Sequence, residues 1–388
     1  MAGLSAARVL AFDVLLAVER GGYAADLLAA RAGSLDHRDA GLASEIVFGA
    51  LRYQAQLDYL IGRYSGKSRL DAEVRIALRM GIYQIRHLDR VPAHAAVNQS
   101  VELVSRARKR SARGFVNAVL RKVDRAPVAW PDRATALSHP AWLLDRWQRQ
   151  FGERLAEEIA RANLAPPETY VHVPPGGKVE GLTLEATDIP GCYLAPLGQT
   201  GGFRIQDIGS QSVVPHLRLG PGMRFLDLCA APGNKTAQAL EAGVWALACD
   251  RHHHRLAGLR RLGIPLVVLD GTAPLPFDVR FERILVDAPC SGTGTLARNP
   301  EIKWRLRPAD LDDLQRRQKA FLAQARAVLA PGGMLVYSTC SLETEENQQV
   351  VASVPPDLVV ETAQRIPGRD PGDGFFVAVI KSDKPANG

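Results

Sequence analysis

The chain has 388 residues, 46% of them hydrophobic and 23% charged, with 48 Lys and Arg against 41 Asp and Glu. That length predicts two or three domains with at least one large core, in an ordinary soluble globular composition. No run approaches 18 consecutive apolar residues, so no membrane span is expected, and five widely spaced cysteines argue against a disulfide framework and for a reducing cytoplasm.

The first residues are apolar, but Arg8, Asp13 and Glu19 interrupt them as in a packed helix rather than a secretion signal. Apolar positions at mixed three and four spacing then predict helices over 6–21, 38–64, 71–88 and 94–108, making residues 1–128 all-helical. The charge is uneven. Residues 1–150 carry 23 basic against 14 acidic side chains, a net of +9, whereas the remainder carries 25 against 27. Residues 105–125 hold eight basic residues and one acid, Asp124. A basic first part joined to a near-neutral second part points to nucleic-acid attachment separate from catalysis. Arg106, Arg108, Lys109, Arg110 and Arg113 are the candidate phosphate contacts.

Residues 129–207 read as a small α/β linking subdomain, with helices over 141–151 and 153–163 followed by short extended pieces separated by Gly and Pro. Strand–helix alternation begins near residue 208 and implies a parallel, doubly wound α/β sheet over 208–388, with residues 382–388 fraying at the end. Segment 254–263 reads as a helix, and Cys192, in Pro-Gly-Cys, as a loop residue.

The first strand of that sheet, Phe225-Leu226-Asp227-Leu228, runs into Cys229-Ala230-Ala231-Pro232-Gly233-Asn234-Lys235-Thr236 and a helix. Small residues in such a turn let backbone approach a ligand, and a helix start offers free N–H groups. A P-loop needs Gly where Cys229 and Asn234 stand, and GxGxxG is absent, so phosphate and nicotinamide readings fail. Asp250 ends the second strand, where an acid can hydrogen-bond ribose hydroxyls, and Asp270 ends the third, near an adenine. Acids ending these two strands fit an adenosyl cofactor without phosphates, S-adenosyl-L-methionine.

Two further strand ends deliver thiols: 283–286 leads into Asp287-Ala288-Pro289-Cys290, and 334–337 into Ser338-Thr339-Cys340. Carboxyl ends of parallel strands border the ligand crevice. Two thiols there, one three residues after a carboxylate, suggest covalent chemistry, although a small buried cysteine is a common packing residue. Spacing alone leaves open which thiol attacks. Lys235 or Lys303 would favour a thiolate, Cys229 offers small size rather than reactivity, and Trp304 would stack on a nucleotide or pack under the motif loop. Cys249 with His252-His253-His254 lacks a second ligand pair, so no metal is expected.

The segments LDLCAAPGNKT, DAPCSGTGTLARNPEIKW and YSTCSLETEEN, with QDIGSQ upstream and DGFFVAVIK at the end, resemble the NOL1/NOP2/Sun family of RNA cytosine-5 methyltransferases over roughly residues 206–381. The segments LRMGIYQIRHLDRVPAHAAVNQSVELV and RGFVNAVLRK are similar to NusB-type RNA-binding domains, a combination seen in family members that methylate small-subunit ribosomal RNA. The resemblance implies three parts: an all-α NusB-like domain, the linking subdomain, and a Rossmann-like class I methyltransferase domain. It further implies that residues 229–235 with Asp250, Asp270 and Asp287 surround S-adenosyl-L-methionine, that Cys340 is the nucleophile, and that Cys290 assists release. Asn234 departs from the family's usual Gly, and VHVPP replaces an Arg-containing strand. The implied partner is small-subunit ribosomal RNA, bound by a cytoplasmic monomer. The rivals are a transfer-RNA cytosine-5 methyltransferase and a non-catalytic NusB-like RNA-binding or antitermination factor.

Overall fold

The computed structural model describes residues 3–67, 69–196 and 198–383; the end of the expected fraying segment lies outside them. The chain forms two compact units, Met1–Pro166 with Leu296–Arg305, and Pro167–Thr295 with Leu306–Gly388. The linking segment 129–207 is divided between them.

The first unit is helical. Its helices include Ala6–Glu19, Ala24–Arg31, His37–Arg52, Gln54–Ser65, Ala72–His87, Ala93–Arg106 and Arg113–Leu120, followed by Ala141–Phe151 and Glu153–Ala162. The apolar run over 38–64 breaks in two at Tyr53. Ala72–His87 is buried without interruption from Ile76 to Ile85, as expected of a helix surrounded by others. Close approach explains its glycine: a Cβ on Gly81 would lie 2.7 Å from Leu120 Cδ1 and 2.8 Å from Ser100 Oγ. The ten residues Leu296–Arg305 complete this unit by polar bonds to helix ends. Arg52 donates to Ala297 O at 3.0 and 2.8 Å, Lys303 Nζ to Arg52 O at 3.0 Å, and Trp304 Nε1 to Leu51 O at 2.9 Å. Arg305 donates to Val18 O at 2.5 Å and Gly22 O at 2.6 Å. Trp304 gives its one side-chain N–H to the Leu51 carbonyl within this unit. One expectation is corrected: Lys303 is fully buried, with its charged form disfavoured by burial and then by Arg52, so it is no thiolate-stabilising cation.

The second unit carries two sheets. In the smaller, β1 (Thr169–His172), β2 (Glu185–Ala186), β3 (Cys192–Ala195) and β4 (Arg204–Ile205) pair antiparallel in the order β2-β3-β1-β4. Cys192 therefore opens a strand, buried opposite His172, instead of lying in a loop. The larger sheet contains β5 (Arg224–Asp227), β6 (Trp245–Asp250), β7 (Leu266–Val268), β8 (Phe281–Asp287), β9 (Leu329–Thr339), β10 (Val359–Arg365) and β11 (Phe375–Lys381), in the order β10-β11-β9-β8-β5-β6-β7.

Strands β5 to β9 are parallel, but β11 lies antiparallel between β9 and β10, so the sheet is mixed rather than wholly parallel. The reason is the link: residues 366–374 are too few for a crossover helix, and a short connection returns the chain antiparallel. Segment 254–263 also differs from one helix, forming one turn, His253–Leu256, and then 3-10 turns over Ala257–Leu262. Gly258 within it weakens helical continuation. Strand order reverses at β5, between β6 and β8, which opens the crevice at the strands' carboxyl ends.

Candidate active site

The crevice holds a cavity of about 270 Å³ lined by residues at the carboxyl ends of all five parallel strands. Cys229 and Ala231 come from the turn after β5, Asp250 ends β6, Gly271 follows β7, and Asp287 with Cys290 follows β8; Cys340 follows β9. Leu228, Leu269 and Phe321 supply apolar wall. Ala230, Pro232, Gly233 and Asn234 complete the turn without lining the cavity. Gly233 takes φ of 100°, and a Cβ there would stand 2.8 Å from Leu259 Cγ, so two separate constraints call for glycine. Asn234 needs no such freedom: it is the first residue of helix Asn234–Leu240 and keeps negative φ.

The carboxylates differ in surroundings. Asp227 is fully buried at the end of β5 and receives Thr236 Oγ1 at 2.7 Å; burial pushes its carboxyl up to about 7. Asp250 accepts from His252 N at 2.9 Å, with Arg255 Nη1 3.6 Å from its other oxygen. Asp270 binds Thr272 through backbone N and hydroxyl at 3.0 and 2.6 Å, which holds its carboxyl below the usual range, and it does not line the cavity. Asp287 pairs with Lys235 Nζ at 2.7 Å and accepts from Ser338 Oγ at 2.8 Å. Lys235 also sits 5.0 Å from the Phe375 ring centroid. Lys235, on helix Asn234–Leu240, is thus held by groups of β8 and β11, and Asp287 by that helix and by β9.

Cys290 Sγ and Cys340 Sγ are 3.3 Å apart although fifty residues separate them in the chain. Parallel pairing of β8 with β9, which sets Asp287 opposite Ser338, brings the two loops together. The contact with Cys340, then burial, pushes the Cys290 thiol well above its ordinary range. Cys229 is pushed up too, by burial and by Asp227, and Cys249 reaches about 12 through burial, so both remain inert thiols.

Residues missed by motif reading hold these loops. The Glu346 carboxylate accepts from Ser291 N at 2.8 Å, Gln318 Nε2 at 2.9 Å, Ser341 Oγ at 2.5 Å and the Ser291 hydroxyl. Gln318 also donates to Pro289 O at 2.9 Å, while Asn347 receives Thr339 Oγ1 at 2.6 Å and donates to Ser341 O at 2.9 Å. The available signal was an acid and an amide within LETEEN, directly after a thiol motif.

In the helical unit, Arg106, Lys109 and Arg113 are paired with Asp13, Asp71 and Glu102, each at 2.7 Å. Arg108 and Arg110 are exposed and have no ion partner among the described residues. Among the described residues no group of three or more His, Cys, Asp and Glu could hold a metal ion, and no helix is long and apolar enough to cross a membrane.

Comparison with known proteins extends this geometry. Residues 214–357 match the family model described as 16S rRNA methyltransferase RsmB/F, and residues 5–125 match the NusB family. A protein named ribosomal RNA small subunit methyltransferase B, from Klebsiella pneumoniae subsp. pneumoniae, is 32% identical over 413 residues, covering 94% of this chain and 95% of its own. The crystal structure of PH0851 superposes with a TM-score of 0.80 at 20% identity over 98% of this chain and 99% of that one, a likeness of fold. A methyltransferase homolog protein from Pyrococcus horikoshii, at 25% identity and a TM-score of 0.54, covers 66% of this chain and 100% of its own.

Proposed function

The chain belongs to the RsmB/F family of 16S rRNA methyltransferases, and from that premise we propose that it methylates C5 of a specific cytosine in small-subunit ribosomal RNA through a covalent cysteine–C6 adduct. The observation that carries this reading is the pair of thiols, Cys290 and Cys340, 3.3 Å apart beside the Asp287–Lys235 ion pair. C5 of cytosine is too weak a nucleophile to be methylated unaided. Addition of the Cys340 thiolate to C6 saturates the 5,6 bond and turns C5 into an enamine carbon. Asp287 offers a hydrogen-bonding oxygen for the base edge near N3 and N4, held in place by Lys235 and Ser338. After methylation, the C5 proton passes to a water molecule acting as base, the double bond re-forms and the Cys340 sulfur leaves as a thiolate. Cys290, whose thiol is held protonated, stands next to that sulfur and assists its departure.

The residues around the cavity fit an adenosyl cofactor: a small-residue turn, apolar walls from Leu269 and Phe321, and the Asp250 carboxylate at the end of β6. S-adenosyl-L-methionine, when bound there, supplies the electrophilic methyl group. Of the residues we assign to holding it, Cys229, Ala231, Asp250 and Asp287 line the cavity, Ala230 and Pro232 to Lys235 shape the turn around it, and Asp270 stands between the lining residues Leu269 and Gly271. The helical part over residues 1–128 would hold the RNA by its phosphates, with residues 129–207 linking it to the methyltransferase part over 208–388, in the cytoplasm. Bisulfite maps of ribosomal and transfer RNA, with and without the gene, test the reading. One small-subunit ribosomal cytosine should lose its methyl group in the deletion and regain it with the intact gene but not with Cys340→Ala. A change confined to transfer RNA would overturn the substrate, and no change in any RNA would overturn the activity.

A further inference from the structure

The two thiols act on one carbon only if both loops are held to the same place, and one buried side chain touches both loops. Glu346 has no exposed surface, and its carboxylate takes four neutral donors: Ser291 N–H, the Ser291 and Ser341 hydroxyls, and the Gln318 amide. Ser291 follows Cys290 directly and Ser341 follows Cys340 directly. Gln318, from helix Pro308–Ala327, extends the hold to Pro289 O, on the other side of Cys290. The Glu346 carbonyl in turn accepts from Tyr337 Oη at 2.6 Å, tying this acid to β9.

We propose that Glu346 is a positioning residue that sets the separation of Cys290 and Cys340, so that nucleophile and release thiol face the same C6. The inference rests on the covalent reading of the two thiols given above. A carboxylate is suited to this because both of its oxygens only accept, with lone pairs for all four donors, whereas an amide presents one accepting oxygen and an NH2 group. Oε1 takes the two N–H donors, Ser291 N and Gln318 Nε2, and Oε2 takes the two hydroxyls, so Glu346→Ala would leave both N–H donors buried without their acceptor. The carboxylate's charge acts in the same direction, since it is among the groups that keep the Cys290 thiol protonated. A shift of about 1 Å in reacting atoms costs on the order of 100-fold in rate.

The test uses the full chain and reads the thiols directly. Excess diamide takes the two thiol hydrogens and is reduced to the hydrazine as the Cys290–Cys340 disulfide forms, which peptide mapping follows in time. Glu346→Ala should form that disulfide at least about tenfold more slowly than the intact protein. On RNA its kcat should fall about 100-fold, with KM for RNA unchanged within about threefold. Glu346→Asp, which keeps both accepting oxygens, should recover at least part of both rates. Ser291→Ala with Ser341→Ala, which removes only the two hydroxyl donors, repeats the disulfide measurement if Glu346→Ala does not fold. Disulfide formation and kcat within twofold of the intact protein in Glu346→Ala, or in Ser291→Ala with Ser341→Ala, would overturn the proposal. Failure to methylate any RNA would overturn the covalent reading but leave the disulfide rates to decide whether Glu346 sets the thiol separation.

Discussion

The two units differ in how some of their charges are held, although each has an ion pair with a buried member, Arg79–Asp58 in the first and Lys235–Asp287 in the second. In the helical unit, acids and bases meet near the surface: Arg106 with Asp13 and Arg113 with Glu102 are pairs in which every side chain is at least a third exposed. Such pairs contribute little to stability, with a median of about 0–1 kcal/mol. In the second unit, Asp227 and Glu346 are buried and held by hydroxyls and amides rather than by cations. Surface pairs leave charge available to a polyanion at low cost, whereas buried acids held by neutral donors fix geometry. On the proposed reading, the first unit attaches RNA and the second aims the thiols.

The sharpest way to break that contrast is at the thiols. Cys340→Ala should lower methyl transfer by at least about 1000-fold and yield no adduct. Cys290→Ala should still attack but release slowly, so that protein accumulates covalently on RNA as a denaturant-resistant band removed by nuclease. Adducts from Cys340→Ala and none from Cys290→Ala would reverse the assignment. Next in size, Asp287→Asn removes the partner of Lys235 and should lower kcat about 100-fold with cofactor affinity less affected, read by single-turnover kinetics and calorimetry. A kcat within threefold would remove Asp287 from the chemistry.

Smaller effects are expected on the attachment side, and pairing orders them. Neutralising the unpartnered Arg108 and Arg110 to Gln should reduce the salt slope of RNA binding by about 0.7–0.9 for each lost contact. Arg106→Gln and Arg113→Gln should change it less, because Asp13 and Glu102 already offset those charges. Equal slopes for all four variants would show that pairing does not rank them.

The smallest effect is in pH, and its sign differs between units. His139, buried against Trp147 with Leu137 O 2.6 Å from Nδ1, is held neutral well below the usual histidine range by burial and by Lys303. Only the unfolded chain takes that proton as pH falls below about 6.5, so this contribution to stability is present above 6.5 and lost below it. Asp227 runs the other way. Its folded carboxyl keeps its proton up to about 7 while the unfolded one releases it near 3.8, so its contribution falls as pH rises between those values. Each slope is at most about 1.4 kcal/mol per pH unit. Hydrogen exchange compared at pH 5 and 7, corrected for intrinsic rates, should show helical protection rising and sheet protection falling, with Asp227→Asn flattening the latter. Parallel movement of both units would contradict this account.

How much of this was legible in the chain follows from what periodicity and motif can report. Apolar spacing marks which face of an element is buried, so the longer helices of residues 1–128 and the strands carrying Asp227, Asp250 and Asp287 could be read directly, whereas the break at Tyr53 and the short helices Ala24–Arg31 and Arg113–Leu120 could not. Spacing does not name the partner of a buried face. Lys303 and Trp304, in a segment beside a thiol motif, turned out to complete the helical unit, because their donors satisfy carbonyls of Arg52 and Leu51. Nor does one acid in LETEEN differ by composition from the next; Glu346 is set apart only by four donors arriving from three separate segments. The sequence by itself determined which chemical groups each strand end carries, because local pattern and turn chemistry act within a few residues. Tertiary structure alone decided that Cys290 and Cys340 meet at 3.3 Å, because that distance depends on strand pairing across fifty residues and on a buried carboxylate between their loops.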